Sequence, residues 1–371
     1  MSEGGLIVFR SSNIQNGCMD YKDIVRVNKN VKEKLITKKD DLLVCARNGS
    51  ARLIGKNAIL HEIDANQTFG AFMMVFRSDI NHFVHQLLNT RRYSSQVSEN
   101  LGARINQITS SDLSSFEFFF PKENSEMNKI AALLDLLDER IATQNKIIED
   151  LKKLKCAIIE DLYCSPKQRE PKRRFLEYSL PLSSYRMKDF CERITGKNKD
   201  NKCSLVLTIA AQYGLVDQKT FFNKSVASEN LTGYYILHKG DFAYNRSYST
   251  GYAWGAVKRL DKYEDGVLST LYICFKINET IVDSDYLSYY FESTKWHKGV
   301  SDISGEGARN HGLLNISVTD YFDTEHCFPH IEEQKRIASM LNAITVKEQK
   351  AIGLEKLYSK QKQYLLRQMF I

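Results

Sequence analysis

Two stretches concentrate the side chains best suited to polar recognition: "CARNGSARLIGK" from Cys45 to Lys56 and "YNRSYSTGYAWG" from Tyr244 to Gly255. Arg and Asn can satisfy two polar partners at once, Ser and Thr hydroxyls both donate and accept, and Gly lets backbone approach a ligand closely. These are the groups that read base edges in a nucleic-acid groove and hold phosphates. Each stretch follows a short strand-like run, as a presented loop would. Arg47, Asn48, Arg52, Asn245, Arg246, Ser247, Tyr248 and Thr250 are therefore the candidate contact residues. The competing reading is a turn whose arginines are merely solvated.

Other chemistries find no support. The sequence has no Gly-rich FxGxG-type cofactor loop, no Asn/Asp-Pro-Pro-Tyr/Phe run and no P-loop with Gly-Lys-Ser/Thr. "HCFPH" (His326 to His330) and "HFVH" (His82 to His85) invite a metal reading, but zinc needs four suitably spaced ligands and no second Cys/His pair accompanies either. These histidines are expected at the surface or a domain edge. No catalytic residue, cofactor or metal ligand is assigned.

What must position the two loops follows from bulk and pattern. A chain of 371 residues can hold two cores, and 43% hydrophobic and 11% aromatic content are those of a globular protein. No apolar run approaches the about 18 residues of a membrane span. The eight cysteines form no CxxC pair, which suits free thiols in a reducing cytoplasm. The net charge of +7 permits a polyanionic partner without requiring one.

The two loops lie in a long repeat. An offset of 200 aligns "ITKKDDLLVCARNGSARLIGKNAI" with "ILHKGDFAYNRSYSTGYAWGAVKR", matching Lys39 with Lys239, Asp41 with Asp241 and Gly55 with Gly255. An offset of 197 aligns "QNGCMD" with "QYGLVD", and one of 205 aligns Gly102-Ala103-Arg104 with Gly307-Ala308-Arg309. An offset of 207 aligns Ile130, Leu134 and Leu137 with Ile337, Leu341 and Ile344. Collinear blocks with drifting offsets indicate two copies of one domain with different loops.

Each copy reads as a mixed α/β globule followed by a long helix. "GAFMMVFR" and "STLYICFKI" have the apolar, aromatic make-up of buried strands; "SDINHFVHQLLNT" and "DSDYLSYYFES" open like capped helices. Ile130, Leu134, Leu137, Ile141, Ile148, Leu151 and Ile158 follow a coiled-coil seam, with Gln144 as its polar interruption. Ile337, Leu341, Ile344, Ala351, Leu354, Tyr358, Leu365 and Met369 keep a similar one. Each helix is expected to be roughly 50 Å long. Charges of −3 over 123–164 and +4 over 331–371 favour pairing of the two, and an antiparallel pair is the easiest arrangement. The expected layout is a first globule over 1–122, a helix over 123–164, a basic linker over 165–184, a second globule over 185–330 and a second helix over 331–371.

With these features the sequence resembles the specificity (S) subunit of bacterial type I restriction–modification systems. The carriers are "FPHIEEQKRIASMLNAI" (Phe328 to Ile344), "LEKLYSKQKQYLLRQMF" (Leu354 to Phe370) and, more weakly, "MNKIAALLDLLDERIATQNKIIEDLKKLK". The resemblance implies a non-catalytic, cytoplasmic subunit in which each globule is a target recognition domain for one half of a split sequence in double-stranded DNA. It implies an antiparallel coiled coil that spaces the halves and docks methyltransferase (M) subunits, with restriction (R) subunits joining through the complex. The loops differ between copies, as two different half-sites would need. Arg104 and Arg309, identical in both copies, suit a phosphate clamp or a structural ion pair. The linker "SPKQREPKRRF" is read as a solvated charge run.

One departure stands out. The second copy has a lead-in, "YRMKDFCERITGKNKDNK" (Tyr185 to Lys202), ahead of its aligned blocks, whereas the first has only "MSEGGL". The first globule is therefore expected to lack its first strand or helix. The competing functions are a scaffold whose globules bind protein, a shortened specificity allele without DNA targeting of its own, and a detached part of a larger nuclease–methyltransferase. Salt separates the first of these from a DNA reader, whose affinity falls steeply as salt rises.

Overall fold

The computed structural model describes residues 4–103, 106–168, 170–223, 230–305 and 314–370. Arg104 and Arg309 lie outside them. The chain divides into a first compact unit, 1–147 with 351–371, and a second, 148–350.

In the first unit, strand β1 (Leu6–Phe9) leads into a small hairpin of β2 (Ile14–Gln15) and β3 (Cys18–Met19), then β4 (Arg26–Val27). Strands β5 (Leu42–Cys45), β6 (Asn57–Ile59), β7 (Thr68–Phe69) and β8 (Met73–Phe76) follow, and then helices α1 (Asn81–Leu87), α2 (Arg91–Ala103), α3 (Ser110–Ser114) and α4 (Asn124–Leu162). One sheet has the order β4-β1-β7 and the other β6-β5-β8. β5 reads as an unbroken apolar run because both its faces are covered. Leu42 and Val44 enter one core with Val84 and Tyr93, while Leu43 and Cys45 enter a second with Phe9 and Leu60.

The second unit begins its globule with β9 (Ser183–Arg186), α5 (Met187–Phe190) and β10 (Cys191–Arg193). There follow β11 (Leu207–Ala210), β12 (Gly214–Asp217), α6 (Gln218–Phe222), β13 (Tyr235–His238), β14 (Phe242–Asn245), β15 (Ala256–Arg259), β16 (Asp265–Leu268) and β17 (Ile273–Ile277). Helices α7 (Ser284–Glu292), α8 (His297–Ile303) and α9 (Val318–Phe322), strand β18 (Glu325–Phe328) and helix α10 (Ile331–Met369) complete the chain. The main sheet has the order β10-β17-β14-β15, and β18 pairs with β9. Phe242, Tyr244, Phe275, Tyr286, Tyr290, Tyr321 and Phe328 form its aromatic core.

The repeat is physical. Leu42 faces Ile59 and Phe76 across β5 as Phe242 faces Arg259 and Phe275 across β14. Asp41 and Asp241 close the turn before their strands in the same way: the carboxylates accept from Lys38 N and His238 N, each at 2.7 Å. Their carbonyls accept from Leu60 N and Leu260 N, each at 2.8 Å. Gly55 and Gly255 end the two candidate loops at φ of 83° and 78°, which only glycine adopts cheaply. "GAFMMVFR" contains β8, "STLYICFKI" contains β17, and the two capped runs contain α1 and α7.

In the first unit α4 and α10 run antiparallel. Leu134 and Leu137 pack with Leu366, and Lys362 Nζ donates to Asp138 at 2.6 Å. In the second unit Ile159 shares a core with Ile337, Ala338 and Leu341, and Lys155 Nζ donates to Glu348 at 2.7 Å. The expected seam holds from Ile337 to Ala351, but Leu354 and Met369 are exposed and Leu366 is buried in their place. A strict heptad drifts around a helix of 3.6 residues per turn, so the buried stripe departs from the written repeat towards the end. Gln144 is half-buried.

The histidines correct one expectation. His326 is buried, with Tyr290 OH 3.0 Å from Nδ1 and Thr324 Oγ1 2.9 Å from Nε2. His85 is also buried, with Nδ1 2.7 Å from Asn57 Oδ1. Each ring finds polar partners inside the core, which makes burial of a neutral imidazole tolerable.

Candidate nucleic-acid interface

In the first unit the candidate loop leaves β5 at Cys45 and returns at β6. Asn48 is committed to shaping it: Nδ2 donates to Ser11 Oγ at 2.9 Å, and Oδ1 accepts from Ser50 N at 3.0 Å. Arg47 is exposed, its guanidinium 5.3 Å from the centre of the Phe72 ring, and Arg52 is exposed at the loop's far side. Two hollows flank the loop. One of about 300 Å³ is lined by Arg10, Ser11, Ser12 and Phe72. The other, about 630 Å³, is lined by Arg52, Lys56, Asn89, Thr90 and Arg91 among others. Lys56 Nζ donates to Ile14 O at 2.9 Å and is thus partly used by the fold. Arg91, Ser11 and Ser12 are polar surface that the sequence reading missed. The signal was present in "RSSN" and in Arg91-Arg92, but only the fold brings them beside the loop.

The second loop divides in the same manner. Arg246 looks inward: Nη1 donates to Ile316 O at 2.9 Å and Nη2 to Leu271 O at 3.2 Å. Its own carbonyl accepts from Leu314 N at 2.9 Å. Asn245 Oδ1 accepts from Ser247 N at 3.0 Å, a local turn that leaves both residues half-buried. Beyond them Tyr248 is 60% exposed, Thr250 is exposed, and Ser249 and Tyr252 bridge their backbones to close the tip. Tyr244 lies below, its hydroxyl donating to Trp254 O at 2.8 Å.

The loops therefore have a base that is spent on structure and a tip that is free to meet a ligand. Replacing Arg246 by Ala should lower the stability of the second unit by about 1–3 kcal/mol, because two carbonyls lose a charged donor. Tyr248→Ala should leave stability within about 0.5 kcal/mol, as exposed substitutions do. Urea unfolding of the two variants checks the contrast.

A two-unit α/β chain with paired long helices and one hairpin repeated with different loop tips defines the class. The structure of the type I restriction-modification system S subunit from M. genitalium has the same fold. It aligns over 99% of this chain and 93% of its own, with a TM-score of 0.56 and 15% identical residues. Residues 2–153 match the family described as type I restriction modification DNA specificity domain. It is 29% identical over 162 residues to the EcoKI specificity subunit of Escherichia coli (strain K12). It is 28% identical over 163 residues to the StySPI specificity subunit of Salmonella potsdam. Each match covers 42% of this chain and 35% of the relative, about a third of that protein's length. Among the described residues no helix is long and apolar enough to cross a membrane.

Proposed function

We propose that the chain is a non-catalytic DNA-reading subunit that directs M subunits, and R subunits through the complex, to a bipartite target in double-stranded DNA. The observation that supports this best is one hairpin built twice, with the same turn and the same closing glycine but different exposed tips. A shared scaffold with variable side chains is what reading two different half-sites requires. In this reading Arg47 and Arg52 serve one half-site and Tyr248 and Thr250 the other. Asn48, Asn245, Arg246 and Ser247 hold the loop shapes. Arg91 and the Ser11–Ser12 pair contribute phosphate contacts beside the first loop.

Two results are expected. The purified chain alone should neither methylate nor cleave DNA with any cofactor; methyl transfer without a partner would overturn the subunit reading. With M subunits added, methylation of a randomised DNA library should recover a split sequence. A good bidentate Arg–base contact is worth about 1–3 kcal/mol of discrimination, roughly tenfold to hundredfold. Arg47→Ala with Arg52→Ala should therefore relax one half of that sequence, and Tyr248→Ala with Thr250→Ala the other. Equal loss at both halves would show that the loops do not read independently.

A further inference from the structure

Each globule receives the last turns of one long helix. In the second unit α4 brings Tyr163 onto α7, with the Tyr163 and Tyr286 rings 4.5 Å apart. In the first unit α10 brings Phe370 onto α1, with the Phe370 and Phe83 rings 5.3 Å apart. The offset of 207 that aligns the starts of these helices also aligns Ile159 with Leu366, Tyr163 with Phe370 and Glu160 with Arg367. At that last position the charge is reversed.

In the second unit the carboxylate has a use. Ser293-Thr294-Lys295 follows α7, Lys295 Nζ lies 3.0 Å from Glu160 Oε2, and Thr294 Oγ1 donates to Oε1 at 3.3 Å. In the first unit Asn89-Thr90-Arg91 follows α1 at an offset of 204, so Arg91 stands where the second unit has Lys295. Arg91 meets no carboxylate there. It lines a hollow of about 320 Å³ together with Arg92, Gln363 and Arg367. Asn89, Thr90 and Arg91 also line the hollow of about 630 Å³ beside the candidate loop, to which Arg52 and Lys56 belong.

No Asp or Glu lines either hollow. Among the described residues, neither Arg52 nor Arg91 has a side-chain hydrogen bond or an ion pair. Lys56 gives one bond to Ile14 O and keeps two donors. Cations gathered in a concave surface without counter-charge focus a positive potential on it. The larger hollow adds an apolar floor of Ile54, Leu88, Tyr93 and Val97, all buried. Its volume lies in the range of about 300–1,000 Å³ of small-molecule sites, which join apolar walls to a few polar groups. A DNA duplex could touch the rim with its phosphates, but its bases are stacked away and cannot reach the floor.

We propose that the first unit binds a free nucleoside phosphate. Its base lies on the floor of the larger hollow, and its phosphates reach Arg91 and Arg367 in the smaller one. Guanidinium groups suit this task because their paired N–H donors match phosphate oxygens. The ligand goes beyond the DNA phosphate contact proposed for Arg91, and its binding stands whichever DNA, if any, the loops read.

The probe is ADP, titrated calorimetrically into the full-length protein at low salt without DNA or partner subunits. Adenosine and pyrophosphate serve as its two halves. ADP should bind one to one and at least about tenfold more tightly than either half, because the hollow engages both. Arg91→Ala should weaken ADP by about tenfold or more and leave adenosine unchanged. Arg367→Glu, which restores the second unit's carboxylate opposite Arg91, should weaken ADP at least as much without lowering the melting temperature. Pyrophosphate binding as tightly as ADP would mean an adventitious anion only and would sink the proposal, as would ADP binding that neither substitution changes. Absence of ADP binding would overturn it outright. If both variants then also lost affinity for duplex DNA, the cations would belong to the DNA backbone.

Discussion

Gly255→Ala should cost the second unit about 3 kcal/mol or more. Gly255 sits at φ 78°, where an added Cβ costs roughly 1–2 kcal/mol of backbone strain. That Cβ would lie 2.1 Å from Asn245 O and 2.8 Å from Tyr244 Cε2. The oxygen is backbone at the end of β14 and cannot yield without opening the hairpin, so an overpacking cost of about 1–3 kcal/mol adds to the strain. At Gly55, φ is 83° but the obstacle is the Tyr93 hydroxyl, 2.9 Å away at the tip of a side chain. Tyr93 can turn at the loss of its bond to Gly55 O, so Gly55→Ala should cost less, about 2 kcal/mol. In calorimetry the Gly255 variant should lower the melting temperature by about 6–12 °C. Amide exchange should localise the loosening to β14–β15. Equal, small shifts for both glycines would mean that the closing turn is not what fixes the loops.

Acid should destabilise both units through one buried histidine each. Burial pushes His326 down to about 3, and burial with Lys362 nearby pushes His85 down to about 4. A histidine whose folded pKa lies below its ordinary 6.5 is protonated only by unfolding. Its stabilising contribution is thus complete above 6.5 and lost as pH falls below it. Between pH 7 and pH 5 each should cost about 2 kcal/mol. His82 works against this in the first unit: its contacts at 2.6 Å to Asp135 and 3.4 Å to Asp40 raise its pKa. That contribution is present below 6.5 and lost as pH rises through the raised value. The second unit should therefore lose more stability on acidification than the first. Melting curves at pH 7 and 5 for the protein and for His326→Gln test this; an unchanged pH dependence in the variant would exclude His326 as the cause.

The sequence by itself determined the repeat, the mixed α/β class, the two long helices and the place of both candidate loops. Each of these rests on a local rule: apolar runs make β8 and β17, seam periodicity makes α4 and α10, and a Gly that tolerates positive φ ends each loop. The shift of the helix seam from Leu354 and Met369 to Leu366 was not legible, because helical drift accumulates over many turns. Nor could composition separate Arg246, which bonds Ile316 O and Leu271 O, from Arg47, which faces outward. Both are arginines in polar loops, and what distinguishes them is a carbonyl some 70 residues away. His326 and His85, expected at the surface or a domain edge, are buried, and this was not legible for the same reason, since their partners Tyr290 and Asn57 lie 36 and 28 residues distant. Only the tertiary structure decided which strands lie at a sheet edge: β8 is the outer strand of its sheet, whereas its counterpart β17 is an inner one. Edges are set by which strands pair, and pairing is a property of the fold.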